Sequence, residues 1–160
     1  MEEWDIYDNY RNKTNRFHVR GTPFENGEYH IVVHVWIMNN KGEILLVKRH
    51  PKKPFPNLWE CPGGSVLRGE DSCQAAIREV QEEIGVSLFL SNGKVIKSER
   101  RDHFNDFYDV WLFNQSFNLA DCVLQKDEVS DSKWVTKREL HSMYNEKYLV
   151  PTLSYFRELL

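Results

Sequence analysis

The chain has 160 residues, of which 41% are hydrophobic and 28% charged, and its formal net charge is −3. This composition predicts one globular domain over residues 1–160, with residues 1–27 as an N-terminal hairpin extension packed on it. The net charge argues against binding of extended nucleic acid. The three cysteines form no CxxC pair, which argues against a disulfide framework or a zinc site.

The start of the chain does not have the pattern of a secretory leader. Its first residues, MEEWDIYDNYRN, are acidic and mixed, whereas a signal peptide is basic and then apolar. No apolar run in the chain approaches the ~18 residues that are needed to span a bilayer. We therefore expect a cytoplasmic protein that makes no contact with membranes.

The first half of the chain predicts strands. Residues 4–20 predict two short strands around a polar turn. Residues 29–38 (YHIVVHVWIM) are almost continuously apolar and predict a central strand, and residues 44–48 predict its returning partner. Residues 49–69 are rich in proline and glycine and predict a long loop, a feature that is usually functional in a compact domain.

The second half predicts helices and further strands. A helix is predicted from Asp71 to Ile84, with an apolar stripe at Cys73, Ile77, Val80 and Ile84 and with Gly85 as its stop. The remaining pattern predicts strands at 94–101, 107–113 and 132–135 and helices at 137–144 and 150–160. Strands separated by a middle helix and followed by terminal helices indicate an α/β fold, with a mixed sheet covered on both faces.

The middle helix carries an acidic face. Glu79, Glu82 and Glu83 stand at positions i, i+3 and i+4 and therefore project from one side. Such like charges destabilise an isolated helix by roughly a few tenths of a kcal/mol per pair, a cost that is understandable if a cation lies among them. Hard oxygen ligands suit Mg²⁺ or Mn²⁺. The alternative is an acidic face that is merely solvated.

Residues that precede this face extend the pattern. Glu70 lies just before the helix, where the loop can bring in a fourth carboxylate, and Arg78 can fix a carboxylate by pairing with it. Gly63 and Gly64 allow the backbone to approach an ion or a phosphate closely, because glycine has no Cβ.

The segment from Gly64 to Val86 resembles the Nudix box, Gly-x5-Glu-x7-Arg-Glu-U-x-Glu-Glu-x-Gly-U with U apolar, at every defined position. The resemblance implies a single Nudix hydrolase domain, an α/β/α sandwich with a mixed β-sheet and a loop–helix–loop metal site. It also implies Mg²⁺-dependent hydrolysis, with Mn²⁺ as a substitute, of a diphosphate linkage in a nucleoside diphosphate derivative or a related organic diphosphate.

Carried over position by position, the resemblance assigns roles to the box. The implied metal ligands are Glu79, Glu82, Glu83 and the carbonyl of Gly63. Glu70 and Gly64 are implied as supporting residues, with Arg78 as the orienting partner of Glu70 and a contributor to catalysis. The general base varies in this family: Glu128, in a later polar stretch, is one candidate and a box glutamate such as Glu82 is another. Glu128 also has a plain interpretation as an exposed loop acid.

Three further residues are candidates for binding the substrate. Arg100 and Arg101 lie in a charged cluster between two predicted strands, and a guanidinium matches phosphate oxygens. Trp59 precedes the glycines and is a candidate for stacking on a base. The plain alternatives are a solvated strand end for the arginines and packing for the tryptophan.

The opening stretch resembles the frame of one branch of the superfamily, isopentenyl-diphosphate isomerase. The matching residues are Trp4-Asp5, Arg20-Gly21, Glu28-Tyr29-His30, Lys48-Arg49 and Pro56-x-x-Trp59. That isomerase uses a cysteine at the entrance of the box, from which Cys61 is displaced by two residues. The resemblance thus implies an isomerase-like frame with hydrolase chemistry. Isomerase activity and a non-catalytic nucleotide-binding module stay open as alternatives, as does a homodimer.

Overall fold

The sheet is built around its most apolar strand. In the computed structural model, which describes all 160 residues, strand β3 covers His30–Met38 and pairs in parallel along its whole length with Asp106–Asn114. The other edge of β3 is shared: Gly63–Ser65 pairs with its middle, while Ile44–Arg49 meets it only at Met38. The prediction of a central strand is confirmed.

The remaining elements complete a seven-stranded mixed sheet and a separate two-stranded one. The strands are β1 (Glu3–Tyr7), β2 (Lys13–Val19), β3 (His30–Met38), β4 (Ile44–Arg49), β5 (Trp59–Glu60), β6 (Gly63–Ser65), β7 (Gly93–Arg101), β8 (Asp106–Asn114) and β9 (Val129–Val135). The helices are α1 (Ser72–Ile84), α2 (Lys137–Asn145) and α3 (Phe156–Leu159). None of them has the length and apolar character that crossing a membrane requires.

Alternate residues of β3 supply two cores, one on each face of the sheet. Val33, Val35 and Ile37 face α1 in a core of 17 buried residues. Trp36 faces the other way, into a core of 12 buried residues that includes residues of α2 and α3. Because successive side chains of a strand point to opposite faces, one apolar strand holds both helical layers. The molecule is thus the mixed α/β sandwich that was predicted.

Helix α1 begins and ends where the sequence predicts. Asp71 caps its N-terminus in a reciprocal pair with Gln74, and Gly85 ends it in the left-handed conformation at φ 72°. The predicted apolar stripe is only partly correct, because Cys73 and Ile77 are half-buried. The fully buried side chains include Ala75 and Ala76, whose small size brings the helix backbone close to the sheet.

Three predicted elements differ in detail. The loop 49–69 contains the short strands β5 and β6, and β4 finds its long partner in β9 instead of β3. The C-terminal helix predicted over 150–160 is broken into a 3₁₀ turn at Pro151–Leu153 and the four-residue α3. The break is accompanied by insertion of Leu153 and Phe156 into the second core, and tertiary packing of this kind overrides local helix propensity.

The N-terminal hairpin of β1 and β2 is tied to the main sheet by ion pairs. Arg11, at φ 67° in the hairpin turn, donates two hydrogen bonds of 2.7 and 2.6 Å to the buried carboxylate of Asp109 on β8. Burial raises the pKa of Asp109, but hydrogen bonds from Arg11, Ser72 and Ser98 outweigh this effect and lower it. Further along the hairpin, Arg16 lies 2.6 Å from the buried Glu28.

We expect Arg11→Ala to lower the free energy of unfolding by about 2 kcal/mol, because it leaves the Asp109 carboxylate buried without its partner. For a chain of this size the melting temperature should fall by roughly 4–8 °C, measured by calorimetry. Arg100→Ala is the matched control, since its partner Asp102 is exposed, and should shift the melting temperature far less. Equal shifts in the two variants would contradict the role given to Arg11.

Candidate active site

A cleft of about 340 Å³ opens beside α1 and β6. Its walls come from three separate parts of the chain: the N-terminal hairpin, the segment from Lys53 to Glu83, and the loop before β9. The acidic residues that line it are Glu2, Glu79, Glu82, Glu83 and Glu128, and the basic ones are Arg20, Lys53 and Arg78. The cleft therefore gathers the predicted acidic face of α1 and the loop candidate Glu128 in one place.

The guanidinium of Arg78 holds together three carboxylates from α1 and the loop before it. Arg78 donates to Glu70 at 2.7 and 3.1 Å, to Glu79 at 3.0 Å and to Glu82 at 3.1 Å. Its remaining bond, of 3.0 Å, goes to the backbone carbonyl of Ser65 on β6. Burial opposes the charge of Arg78, but Glu70 and Glu79 outweigh it and raise the pKa of the guanidinium. Arg78 thus holds the helix face and the preceding loop in a fixed arrangement.

The two glycines of β6 are required by close contacts. A Cβ on Gly63 would lie 2.3 Å from the carbonyl oxygen of Val33, on the neighbouring strand. A Cβ on Gly64 would lie 2.2 Å from a carboxylate oxygen of Glu79. Gly64 therefore makes the space in which the Glu79 side chain lies, a supporting role that depends on the absence of a side chain.

Glu83 is buried, and the side chain of Glu79 is only 14% exposed, which is unusual for carboxylates. Burial raises the pKa of Glu79 to about 7. The positive charge of Arg78 lowers this pKa, whereas the negative charges of Glu82 and Glu2 raise it further. Glu83 is 8% exposed and has no ion-pair partner. Burial, followed by repulsion from Glu79 and Glu60, raises the pKa of Glu83 well above its ordinary value. Both carboxylates would be stabilised in their charged form by a cation in the cleft.

The carboxylates do not converge on one point in the way of a closed metal cage. No group of three His, Cys, Asp or Glu side chains has the geometry to hold an ion by itself. Arg78 draws Glu79 and Glu82 toward itself, and Glu82 is half-exposed. Mg²⁺ commonly uses few protein carboxylates and completes its shell with waters and phosphate oxygens. The hard oxygen donors and the unpaired, buried Glu83 therefore fit a divalent cation that is shared with a substrate.

The lining of the cleft includes an ion pair between two loops. Lys53, from the loop after β4, contacts the carboxylate of Glu128, from the loop before β9. Behind this pair lies Glu60, whose carboxylate accepts a 2.6 Å bond from Arg49 and whose pKa is raised by burial. Lys53 and Glu60 were not identified from the sequence. The only sequence feature near them is the pair Lys52-Lys53 in a proline-rich loop, and such a pair does not indicate a particular function.

The three predicted substrate-binding residues lie outside the cleft. Arg100 pairs with Asp102 at 2.7 Å, and Arg101 makes two bonds of 2.8 and 2.6 Å to the buried Asp106. Trp59 lies between the ammonium groups of two lysines, Lys48 at 5.9 Å and Lys133 at 4.3 Å from its ring centre. These positions do not support the predicted roles, because each side chain is engaged in contacts of its own.

Cys61 also does not line the cleft. It is 3% exposed and belongs to the core between the sheet and α2. Burial raises the pKa of its thiol well above the ordinary value, so it is not an activated nucleophile. The interpretation of Cys61 as a small buried side chain therefore suits the structure.

The hairpin contributes a part of the cleft that the sequence did not point to as a site. Glu2, Trp4 and Arg20 are part of its lining. Trp4 donates a 2.7 Å bond to one carboxylate oxygen of Glu2, and Arg20 donates a 3.2 Å bond to the other. Only the folded hairpin, which pairs the first residues with those near position 20, brings these side chains together.

Known proteins resemble this chain over most of its length. A family model described as the NUDIX domain matches residues 28–157. An uncharacterised Nudix hydrolase of Listeria monocytogenes is 42% identical over 154 residues, which cover 94% of this chain and 89% of that protein. A putative 8-oxo-dGTP diphosphatase of Bacillus subtilis is 37% identical over 66% of each chain. A crystal structure from Deinococcus radiodurans shares the fold with a TM-score of 0.73 at 21% identity, covering 93% of this chain and 92% of that one.

The raised pKa of Glu79 predicts a stability that depends on pH. Because the folded value of about 7 exceeds the ordinary 4.5, the folded protein binds the extra proton, and stability falls as the pH rises from 4.5 to 7. Glu79→Gln removes this penalty. In buffer without divalent cations, its free energy of unfolding should exceed that of the wild type by an amount that grows with pH, to the order of 3 kcal/mol above pH 7.

Chemical denaturation at several pH values measures this difference. Glu82→Gln is the matched control on the same helix face, and its half-exposed carboxylate should give a much smaller difference. If the Glu79→Gln difference stayed flat between pH 5 and 8, the buried carboxylate would not carry the assigned penalty.

Proposed function

The chain belongs to the Nudix hydrolase family, and from this premise we propose that it hydrolyses a diphosphate linkage with Mg²⁺ as its cofactor. The proposed substrate is a nucleoside diphosphate derivative or a related organic diphosphate, and the products are phosphate or a monophosphate. The supporting observation is the convergence of Glu79, Glu82, Glu83 and Glu128 on one cleft in which Glu83 is buried without a counter-ion. The Bacillus subtilis relative, named for a nucleotide substrate, favours nucleotides among these compounds.

Nudix hydrolases generally use divalent metal ions. In this chain the residues that would hold Mg²⁺ are Glu79, Glu82, Glu83 and the carbonyl of Gly63, with Mn²⁺ as a substitute. When bound, the ion supplies charge neutralisation at the phosphate oxygens and activation of water. Arg78 acts as a positioning residue, because its ion pairs with Glu70, Glu79 and Glu82 fix the positions of these carboxylates.

Glu128 is the general base of the proposed reaction. Its carboxylate lines the same cleft as the acidic helix, where it can accept a proton from the water that attacks phosphorus. The new bond joins the water oxygen to phosphorus, while the bridging P–O bond breaks and its electrons leave with the departing phosphate. Lys53 orients Glu128 in the free protein and offers a positive charge to an incoming phosphate. Glu82, on the box itself, is the alternative base.

The isomerase alternative has no support in the cleft. Its chemistry needs a cysteine at the box entrance, and Cys61 is buried in the opposite core. A non-catalytic module is disfavoured because all the box glutamates are present and three of them, Glu79, Glu82 and Glu83, line the same cleft.

A panel of nucleoside di- and triphosphates, nucleotide sugars and prenyl diphosphates, incubated with Mg²⁺, tests the reaction. We expect release of phosphate or a monophosphate that is abolished by a chelator and restored by Mg²⁺ or Mn²⁺. Chromatography of the products distinguishes hydrolysis from isomerisation. Conversion of isopentenyl diphosphate to its isomer without release of phosphate would overturn the proposal.

Substitution of Glu128 tests the assignment of the base. Glu128→Gln should lower kcat by about 10²–10⁴-fold and change KM only slightly, because the amide keeps the shape of the side chain but cannot accept the proton. The matched control is Asp127→Asn, which neutralises the neighbouring exposed loop acid and should retain wild-type kcat. A Glu128→Gln enzyme with wild-type kcat would move the role to a box glutamate.

A further inference from the structure

The N-terminal hairpin lies outside the region that defines the family. The family match begins at residue 28, yet Glu2, Trp4 and Arg20 line the cleft. The hairpin is also joined to the loop that leads into α1: Gly69 donates a 2.8 Å bond to Asp5, and Arg68 pairs with Glu3 at 3.0 Å. Side chains that are additional to the shared domain are well placed to determine which substrate the shared chemistry acts on.

Among the three cations of the cleft, Arg20 has the most exposed side chain. Every guanidinium nitrogen of Arg78 already donates to a protein oxygen, and Lys53 pairs with Glu128. Arg20 is 66% exposed, and its only ion pair is the 3.2 Å contact with Glu2. Exposed pairs of this kind stabilise a protein only weakly, so a phosphate can displace Glu2 at little cost.

The position of Arg20 is nevertheless well defined. Its backbone N–H donates a 2.9 Å bond to the carbonyl of Glu2, and the Glu2 carboxylate is held in turn by the indole of Trp4 at 2.7 Å. The Trp4 ring stacks on His30 with centroids 4.2 Å apart, which fixes it against the main sheet. The guanidinium therefore extends from a rigid base into the lining of the same cleft that contains the acidic face of α1.

We propose that Arg20 is a specificity-determining residue that binds an anionic group of the substrate beyond the diphosphate held at the acidic helix. The inference rests on the proposed function, since it takes the inner diphosphate to lie at Glu79 and Glu83. It names the preferred substrate class as compounds with a third anionic group, such as nucleoside triphosphates. A guanidinium suits this task because its planar fork matches phosphate oxygens.

Calorimetric binding of non-hydrolysable phosphate chains tests Arg20 without requiring turnover. The probes are imidodiphosphate and its triphosphate homologue, each in excess Mg²⁺. In Arg20→Gln we expect the affinity for the triphosphate probe to fall about tenfold and that for the diphosphate probe to change less than twofold. Arg20→Lys, which keeps a point charge, should recover part of the affinity.

The matched control is Arg68→Gln, which removes another exposed arginine that is paired with an N-terminal glutamate but does not line the cleft. It should leave the affinity for both probes unchanged. Equal losses for the two probes in Arg20→Gln, no loss for either, or failure of the wild type to bind the triphosphate probe would each overturn the inference. Binding as expected without hydrolysis of any substrate would instead contradict the proposed function.

Discussion

The arrangement of the cleft depends on the electrostatic repulsion among carboxylates that a short helix forces together. Glu79, Glu82 and Glu83 lie within five residues of one another, and the fold buries two of them. The guanidinium of Arg78 neutralises part of this negative charge, because it forms ion pairs with Glu70, Glu79 and Glu82. Glu83 remains buried and unpaired. The protein is therefore built with a local excess of negative charge that a divalent cation relieves, and the same excess lowers its stability when no cation is bound.

The rest of the fold holds the negatively charged residues of α1 in position. Strand β3 supplies both cores, so the α1 layer is fixed to the sheet independently of the charges on its other face. Short β6 lies between β3 and the end of β4, and its glycines leave room for the carbonyl of Val33 and the carboxylate of Glu79. The capping residues Asp71 and Gly85 set the length of α1, so that its acidic residues face the cleft rather than the solvent beyond it.

The cleft is completed by segments that are far apart along the chain. The loop with Lys53 and the loop with Glu128 meet through an ion pair, and the hairpin adds Glu2, Trp4 and Arg20 to the lining. In the proposed function this division separates chemistry from selection: the family's shared region carries the acidic helix, and the hairpin, which precedes that region, supplies Arg20 for an additional anionic group. Binding energy at such a remote position can distinguish substrates without altering the reacting groups.

The sequence by itself determined what depends on local spacing. Periodicity located α1 and its caps, and the box spacing identified its acidic face, because a helix fixes the relative directions of residues three and four apart. Tertiary structure alone decided which distant side chains share the cleft. Arg100, Arg101 and Trp59 had suitable chemistry but are engaged elsewhere, whereas Lys53 and Arg20 had no local signal and yet line the site. The C-terminal helix was broken for a similar reason, since packing of Leu153 and Phe156 in the second core outweighed helix propensity. Contacts between residues that are distant in sequence depend on how the layers pack, and no local pattern encodes that packing.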